Sequence, residues 1–157
     1  MSSESEILNA LAKYCSQAER CINDVRKKMQ AENLSKEVEQ RIIEQLIKEK
    51  FIDENRFSRS FVHDKFQFNR WGRIKIAYEL KARNIPSEVY YPAIETIDED
   101  EYLTVLTELL KNKKRLVKGR TSYEIYQKLS RFASARGFET ELISRTIKKL
   151  VKMNDDD

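Results

Sequence analysis

The sequence predicts an all-α fold of three tandem three-helix repeats in an elongated, curved array. Its 157 residues include only three Gly and two Pro, fewer than the tight turns of a many-stranded sheet require. Charged residues make up 36%, and Leu and Ile recur at the spacing of an amphipathic helix. A unit of about 50 residues buries only a marginal core, so we expect successive units to pack on one another as in helical-repeat proteins.

Three helix-ending signals set the repeat. Asn33, Asn84 and Gly137 stand 51 and 53 residues apart, and Asn and Gly most readily adopt the left-handed conformation that ends a helix. An apolar residue follows each signal, and another opens the next helix five residues after it. These pairs are Leu34 and Val38, Ile85 and Val89, and Phe138 and Leu142.

The predicted boundaries are residues 1–52 for the first repeat, 53–97 for the second and 98–153 for the third. Residues 154–157 are predicted to be an acidic, disordered tail. In the first repeat we expect helices near 4–14, 18–32 and 35–50, the last one capped by Ser35.

The second and third repeats carry their own start signals. Asp53 is expected to cap a helix containing Phe57, Phe61, Phe66 and Phe68, which we interpret as mainly core residues rather than base-stacking residues. A helix over 71–83 and another starting near Pro86 should follow, and Pro92 should bend or shorten the latter. Asp98 opens the third repeat, a Thr121–Glu124 capping box starts a helix near 121, and the last helix covers 140–152.

The residues give little support to enzymatic chemistry. His63 is the one histidine and has no paired carboxylate or nucleophile motif, so we interpret it as a surface or packing residue. Phosphate-binding loops, dinucleotide fingerprints and metalloprotease motifs are absent from the sequence. We therefore expect a protein that is not an enzyme and has no cofactor and no metal.

Cysteine usage and the polar N-terminus predict a cytoplasmic protein. Cys15 and Cys21 are six residues apart, which on one helix places them about 240° apart and prevents a bridge. They should be reduced and partly buried. The chain contains no apolar run near the roughly 18 residues of a membrane span, and its acidic start is unlike a secretion signal.

Basic residues concentrate in two stretches of a chain with formal charge +4. Residues 70–83 carry five cations interleaved with Trp71 and Tyr78, and residues 111–120 carry six cations and no acid. The second stretch is predicted to be a long connection between helices. Both are interpreted as surfaces for an anionic partner; the alternative is a solvated face that only keeps the protein soluble. Trp71 itself fits a packing or an exposed role equally well.

The residues over 51–66 and 71–85 resemble the RecX family. Ile52-Asp53-Glu54-Asn55-Arg56-Phe57-Ser58 and Phe61-Val62 match its first motif, and Gly72, Ile76, Glu79, Leu80, Lys81 and Ile85 match its second. The chain departs from the family pattern at Lys50 and Asn84, where Gly is usual, at Phe51, and at Trp71, where Lys is common. The flanking repeats extend the resemblance over about residues 6–150.

This resemblance implies a regulator that binds RecA and the RecA–single-stranded DNA filament. Such a protein would inhibit the ATPase, recombinase and co-protease activities in DNA repair, recombination and the SOS response. Expected partners are the recombinase filament and, weakly and nonspecifically, single- or double-stranded DNA, with the chain a monomer that does not bind membranes. The alternative is an independent basic DNA-binding protein that acts without recombinase. The residues predicted to contact partners are Arg56, Arg59, Lys65, Arg70, Trp71, Arg73, Lys75, Lys81, Arg83, Lys113, Lys114, Arg115, Lys118 and Arg120.

Overall fold

The computed structural model describes residues 3–155, and every regular element in that range is helical. The all-α prediction is therefore confirmed. The helices are α1 (Glu4–Gln17), α2 (Ile22–Met29), α3 (Lys36–Lys48), α4 (Glu54–Gln67), α5 (Arg73–Ala82), α6 (Ser87–Ile94), α7 (Glu99–Leu116), α8 (Ser122–Ala135) and α9 (Thr140–Asp155). A short 3-10 turn, Gln30–Glu32, extends α2.

Side-chain caps start the helices where the sequence predicts them. Ser35 accepts a hydrogen bond from the Val38 N–H at 3.2 Å, and Asp53 accepts one from Arg56 at 3.1 Å. Asp98 and Thr121 accept the equivalent bonds at 2.9 and 3.1 Å. Each such cap is worth about 1 kcal/mol. The carboxylate of Glu124 accepts from the Arg120 N–H, one residue before the cap, so the predicted capping box is shifted by one position.

The predicted helix-ending residues are left-handed. Asn33, Asn84 and Gly137 have φ angles of 53°, 61° and 94°. Ile85 and Phe138, which follow two of them, are buried and donate their N–H groups back to the preceding helix, as expected for this type of helix end. Lys50 and Arg70 are also left-handed, with φ of 63° and 55°, which the sequence did not predict.

The second helix of the first repeat starts later than predicted. α1 continues to Gln17, Ala18 is extended, and α2 begins at Ile22. The cause is local, because the Asp24 carboxylate accepts a hydrogen bond from the Cys21 N–H at 3.0 Å and fixes the start there. Cys15 and Cys21 consequently lie on different elements. Both are free and buried, more fully than the partial burial expected; their reduced state stays a prediction.

The chain divides into two compact units. The first contains the residues up to Phe61 together with Leu80–Ala93, and the second contains Val62–Glu79 and the residues from Ile94 onward. Helices α4 and α5 therefore contribute residues to both units. The three repeat boundaries, and the elongated, curved arrangement, stay predictions.

The first unit has a core in which α1 and α2 pack on α3. Its buried cluster consists of Ile7, Leu11, Cys15, Val25, Met29, Ile42, Ile43, Leu46 and Ile52. Ile47, which follows Leu46 on α3, is 43% exposed.

In the second unit, α7, α8 and α9 pack against one another. The rings of Phe66 and Tyr102 stack with centroids 5.8 Å apart, and the centroid of the Phe138 ring lies 5.1 Å from that of Tyr102. These aromatic contacts join the end of α4 to α7 and to the turn before α9.

The C-terminal boundary differs from the prediction. Helix α9 continues through Asp155, so residues 154–155, predicted to be disordered, are helical, because extending a formed helix needs no new nucleation. Asp156 and Asp157 lie outside the described residues. Pro92 lies inside α6, and this helix has eight residues, which fits its predicted shortening.

In residues 3–155, no helix combines the length and apolar composition that crossing a membrane requires. Over the same range, His, Cys, Asp and Glu side chains form no group of three or more that could hold a metal ion.

Candidate binding surface

Trp71 lies between two lysines in the segment that joins α4 to α5. The Lys65 ammonium lies 5.0 Å and the Lys75 ammonium 4.4 Å from the centroid of its indole ring. The Trp71 N–H donates to the Lys65 carbonyl at 3.0 Å. Because the ring is half-buried, Trp71 both packs and remains accessible, which combines the two predicted alternatives. Each cation–π contact at such a site contributes about 0.5–1 kcal/mol.

Phe132 on α8 has a similar environment. The Lys113 ammonium and the Arg136 guanidinium each lie 5.0 Å from the centroid of its ring. The ring is half-buried. Phe132 and Arg136 are not among the residues predicted to contact partners, because they lie outside the two basic stretches.

Hydrogen bonds and one ion pair bring the Trp71 cluster and the Phe132 cluster together within the second unit. The Gly72 N–H donates to the Arg136 carbonyl at 2.7 Å, and the Arg136 guanidinium donates to the Asn69 carbonyl at 3.2 Å. The guanidinium of Arg70 lies 3.8 Å from the Glu108 carboxylate on α7. We call this region the basic surface; it consists of Lys65, Arg70, Trp71, Lys75, Lys113, Phe132 and Arg136.

Two glycines permit the close approach that builds the basic surface. A Cβ atom on Gly72 would lie 2.5 Å from the Phe138 nitrogen and closer still to the Gly137 carbonyl. Gly137 has φ +94°, and a Cβ atom there would lie 2.5 Å from the Lys75 nitrogen. Atoms cannot approach so closely, so both positions require glycine.

Arg73 was predicted to contact a partner, but the structure gives it internal partners. Its guanidinium pairs with Glu139 at 2.7 Å and with Glu99, and it stacks 3.9 Å over the Tyr102 ring. Partial burial acts to lower the pKa of Arg73; the hydrogen bond and charge of Glu139 and the hydrogen bond of Glu99 outweigh it and raise that pKa. We therefore leave Arg73 out of the proposed surface.

Tyr102 completes the network around Arg73. Its hydroxyl accepts the Arg73 N–H at 3.0 Å and donates to the Glu139 carboxylate. Burial, followed by the Glu139 hydrogen bond, raises the pKa of the Tyr102 phenol. The phenol therefore stays protonated and holds Glu139 toward Arg73.

Arg56 likewise has partners inside the first unit. Its guanidinium pairs with Glu19 at 2.5 Å and donates to the carbonyls of Lys50 and Phe51 at 3.1 and 3.4 Å. Those carbonyls belong to the left-handed turn that follows α3. Arg56 is thus a structural residue, although the sequence placed it among the contact residues.

The basic stretch over 111–120 is mainly helical, contrary to the prediction of a long connection. α7 continues to Leu116 and so contains Lys113, Lys114 and Arg115. Two physical reasons account for this. The buried side chains of Leu106 and Leu110 anchor the preceding turns of α7, and cations in a last turn interact favourably with the helix dipole.

The remaining predicted cations are distributed over both units. Lys118 and Arg120 are exposed in the segment between α7 and α8. Arg59 and Lys81 are exposed in the first unit, where the Arg83 guanidinium lies 4.7 Å from the Phe61 ring. Arg59, Lys81 and Arg83 therefore lie outside the unit that contains the basic surface, and the contacts that define the basic surface do not involve Lys118 or Arg120.

Comparison with known proteins identifies, in two stretches of the chain, the same family that the sequence motifs resemble. Residues 53–90 match the second three-helix domain of RecX, and residues 99–147 match the third. Together these matches cover more than half of the chain. The chain belongs to the RecX family. The resemblance in its central motif and the tandem three-helix architecture are thereby confirmed.

Named relatives extend this result along the chain. A regulatory protein RecX of Clostridium beijerinckii is 28% identical over 136 residues, which is 85% of this chain and 63% of that protein. The corresponding protein of Lactobacillus johnsonii is 26% identical over 98% of this chain and 57% of its own length. The chain thus spans about 60% of the length of these relatives. A relative from Prosthecochloris aestuarii, 25% identical, is covered over 93% of its length.

Solved structures agree on the fold. The crystal structure of RecX from Lactobacillus salivarius superposes with a TM-score of 0.84 over 94% of this chain and 96% of that chain, at 18% identity. A further crystal structure of a regulatory protein RecX also gives a TM-score of 0.84, over 93% of this chain.

Proposed function

We propose that this RecX-family protein binds RecA and the RecA–single-stranded DNA filament and inhibits the filament's ATPase, recombinase and co-protease activities. Family membership is the observation that carries the proposal. The basic surface supports it, because its accessible cations suit the phosphates and carboxylates of a nucleoprotein filament. The chain would act by binding rather than by catalysis, as a monomer in DNA repair, recombination and the SOS response.

The geometry of the basic surface favours binding because its side chains are held before a partner arrives. Lys65 and Lys75 are ordered against Trp71, and Lys113 and Arg136 against Phe132. Ordering a long cationic side chain on binding costs about 0.5–1.5 kcal/mol. Because these side chains are already held in place in the folded chain, binding a partner requires less additional ordering.

The experiment that tests the proposal measures RecA ATPase turnover on single-stranded DNA, using recombinase from the same organism. We expect turnover to fall when this protein is added at equimolar amounts. Unchanged turnover, together with no co-sedimentation with the filament, would contradict the proposed function.

A charge-reversal variant then locates the surface. In the double variant Arg70→Glu, Lys75→Glu, inhibition should fall strongly, because the two central cations of the basic surface become acidic. The matched control is Lys148→Glu, Lys149→Glu, which makes the same charge change at two exposed residues of α9. Equal loss of inhibition in both variants would indicate a net-charge effect and exclude the basic surface as the binding site.

The second candidate function is DNA binding without recombinase. The exposed cations Arg115, Lys118 and Arg120 at and after the end of α7 favour it. Binding through phosphates alone should weaken with salt, with a slope near 0.9 per neutralised phosphate on duplex DNA. Tight binding to naked DNA, with no effect of the protein on RecA turnover, would favour this candidate over the first.

A further inference from the structure

Helix α5 presents apolar side chains on two opposite faces. Ile76 and Leu80 are completely buried, whereas Ile74 is 55% and Tyr78 is 70% exposed. Ile74 and Tyr78 are four residues apart, so they are neighbours on one face of the helix. Ala77, half-buried, lies beside them. We call Ile74, Ala77 and Tyr78 the outer face of α5.

The outer face has the composition of a protein-binding site. A helix on a protein surface normally carries polar residues on its solvent side, whereas this one exposes a β-branched aliphatic and an aromatic side chain. Tyrosine is enriched among the residues that dominate binding energies at interfaces. The small Ala77 side chain lets a partner approach the helix backbone between the two larger ones.

We propose that the outer face of α5 docks on the recombinase itself, in an apolar groove bordered by carboxylates; this inference rests on the proposed function. Two features select a protein rather than nucleic acid as the occupant. Ile74 has no π system on which a base could stack, so burial of its exposed area is better matched by an apolar pocket than by a stacked base. The cations Arg70 and Lys75 precede and border the face, which matches an acidic rim on the partner.

The basic surface and the outer face of α5 contribute to binding in different ways. The basic surface provides the salt-dependent attraction, and the outer face of α5 provides the salt-independent contact. Removing the outer face should therefore weaken binding to the filament without changing its salt dependence or the affinity for naked single-stranded DNA. Charge reversal in the basic surface should reduce the salt dependence.

The test is a titration of RecA–single-stranded DNA filaments with the variant Ile74→Ser, Tyr78→Ser, followed by co-sedimentation at several salt concentrations. Loss of a pair of interface anchors weakens binding about tenfold or more, and we expect at least that effect. The matched control is Leu116→Ser, Tyr123→Ser, an aliphatic and an aromatic residue that are 76% and 68% exposed elsewhere in the second unit. Circular dichroism should show unchanged helicity in both variants.

The other possible outcomes each contradict the inference, and the measurements tell them apart. If the wild type does not bind the filament, the proposed function fails and the inference with it. If the wild type binds and the Ile74→Ser, Tyr78→Ser variant binds equally well, the inference fails and the function stands. If the variant loses affinity for naked single-stranded DNA to the same extent, the outer face contacts nucleic acid. If analytical ultracentrifugation shows a wild-type dimer that becomes monomeric in the variant, while filament binding is unchanged, the occupant is a second copy of this chain.

Discussion

Replacing Gly72 by alanine tests the backbone contact on which the basic surface depends. The Gly72 N–H donates to the Arg136 carbonyl at 2.7 Å, and the Ile74 N–H donates to the Gly137 carbonyl at 2.9 Å. A methyl group at position 72 would lie 2.5 Å from the Phe138 nitrogen. The neighbouring atoms are backbone, so they cannot rotate away, and the two segments must separate.

The expected loss of free energy of unfolding follows from these contacts. Forcing a methyl group into a packed site costs about 1–3 kcal/mol, and each weakened hydrogen bond adds about 1 kcal/mol. We therefore expect the free energy of unfolding to fall by about 3–5 kcal/mol. For a chain of this size, that corresponds to a drop in Tm of roughly 6–20 °C.

The assay is urea unfolding followed by circular dichroism and by the fluorescence of Trp71, which is the one tryptophan of the chain and directly precedes Gly72. Gly119→Ala is the matched control. Its Cβ atom would lie 3.0 Å from a side-chain carbon of Ile125 and 3.2 Å from the Glu124 Cβ, and the Ile125 side chain can move. We expect a cost below about 1 kcal/mol there.

Gly137 takes part in the same backbone contact as Gly72, because its carbonyl accepts the hydrogen bond from the Ile74 N–H. Gly137→Ala places a side chain at φ +94° and 2.5 Å from the Lys75 nitrogen, so it should also destabilise by about 2–3 kcal/mol. The two substitutions disrupt the same contact, so the double variant should cost less than their sum. Equal stability of Gly72→Ala and Gly119→Ala, or full additivity of Gly72→Ala and Gly137→Ala, would refute the contact.

Three further predictions concern single positions. Lys50→Gly should raise the urea midpoint, because Lys50 holds φ 63° and glycine removes a strain of about 1 kcal/mol; an unchanged midpoint would contradict this. Tyr102→Phe should lower the free energy of unfolding by about 1–3 kcal/mol, because the Arg73 N–H and Glu139 each lose a partner; a wild-type urea curve would argue against the network. Burial raises the pKa of Cys21 from 9.0 to about 11, so the folded state keeps a proton that the unfolded state releases, and stability should decline from pH 9 to about 11. That decline should be shallower in Cys21→Ala when urea unfolding is measured at each pH.

Local chemistry explains which features of the fold could be predicted from the sequence. Ser35, Asp53, Asp98 and Thr121 cap helices through atoms within a few residues, so their role depends on nearby sequence alone. The same holds for Asn33 and Asn84, whose residue type favours the left-handed conformation. Lys50 and Arg70 adopt that conformation too, although their residue type gives no sign of it; backbone hydrogen bonds from Phe51 to Leu46 and from Trp71 to Lys65 close these two helix ends.

The binding surface was harder to predict because ion pairs form between distant parts of the chain. Arg70 and Arg73 are three residues apart and equivalent as sequence signals. Arg73 pairs with Glu139, 66 residues away, whereas the guanidinium of Arg70 is exposed and lies 3.8 Å from Glu108. For the same reason, Phe132 and Arg136 could not be assigned to the basic surface from the sequence, because they join it only when α8 packs on α7. Sequence alone located the basic character of the region and could not say which cations the fold uses internally.

Stability and binding are coupled in this molecule through the segment around Gly72. The hydrogen bond from Gly72 to Arg136 fixes Trp71 and its two lysines beside Arg136 and Phe132. Arg73, ion-paired to Glu99 and Glu139, holds the first turn of α5 in the same place. The start of α5 also carries Ile74, so one anchored turn orients both the basic surface and the outer face of α5. Variants of Gly72 or Arg73 should therefore weaken both kinds of contact together, whereas variants of Lys113 or Ile74 should each affect one kind. This difference separates the residues that build the surface from those that touch a partner.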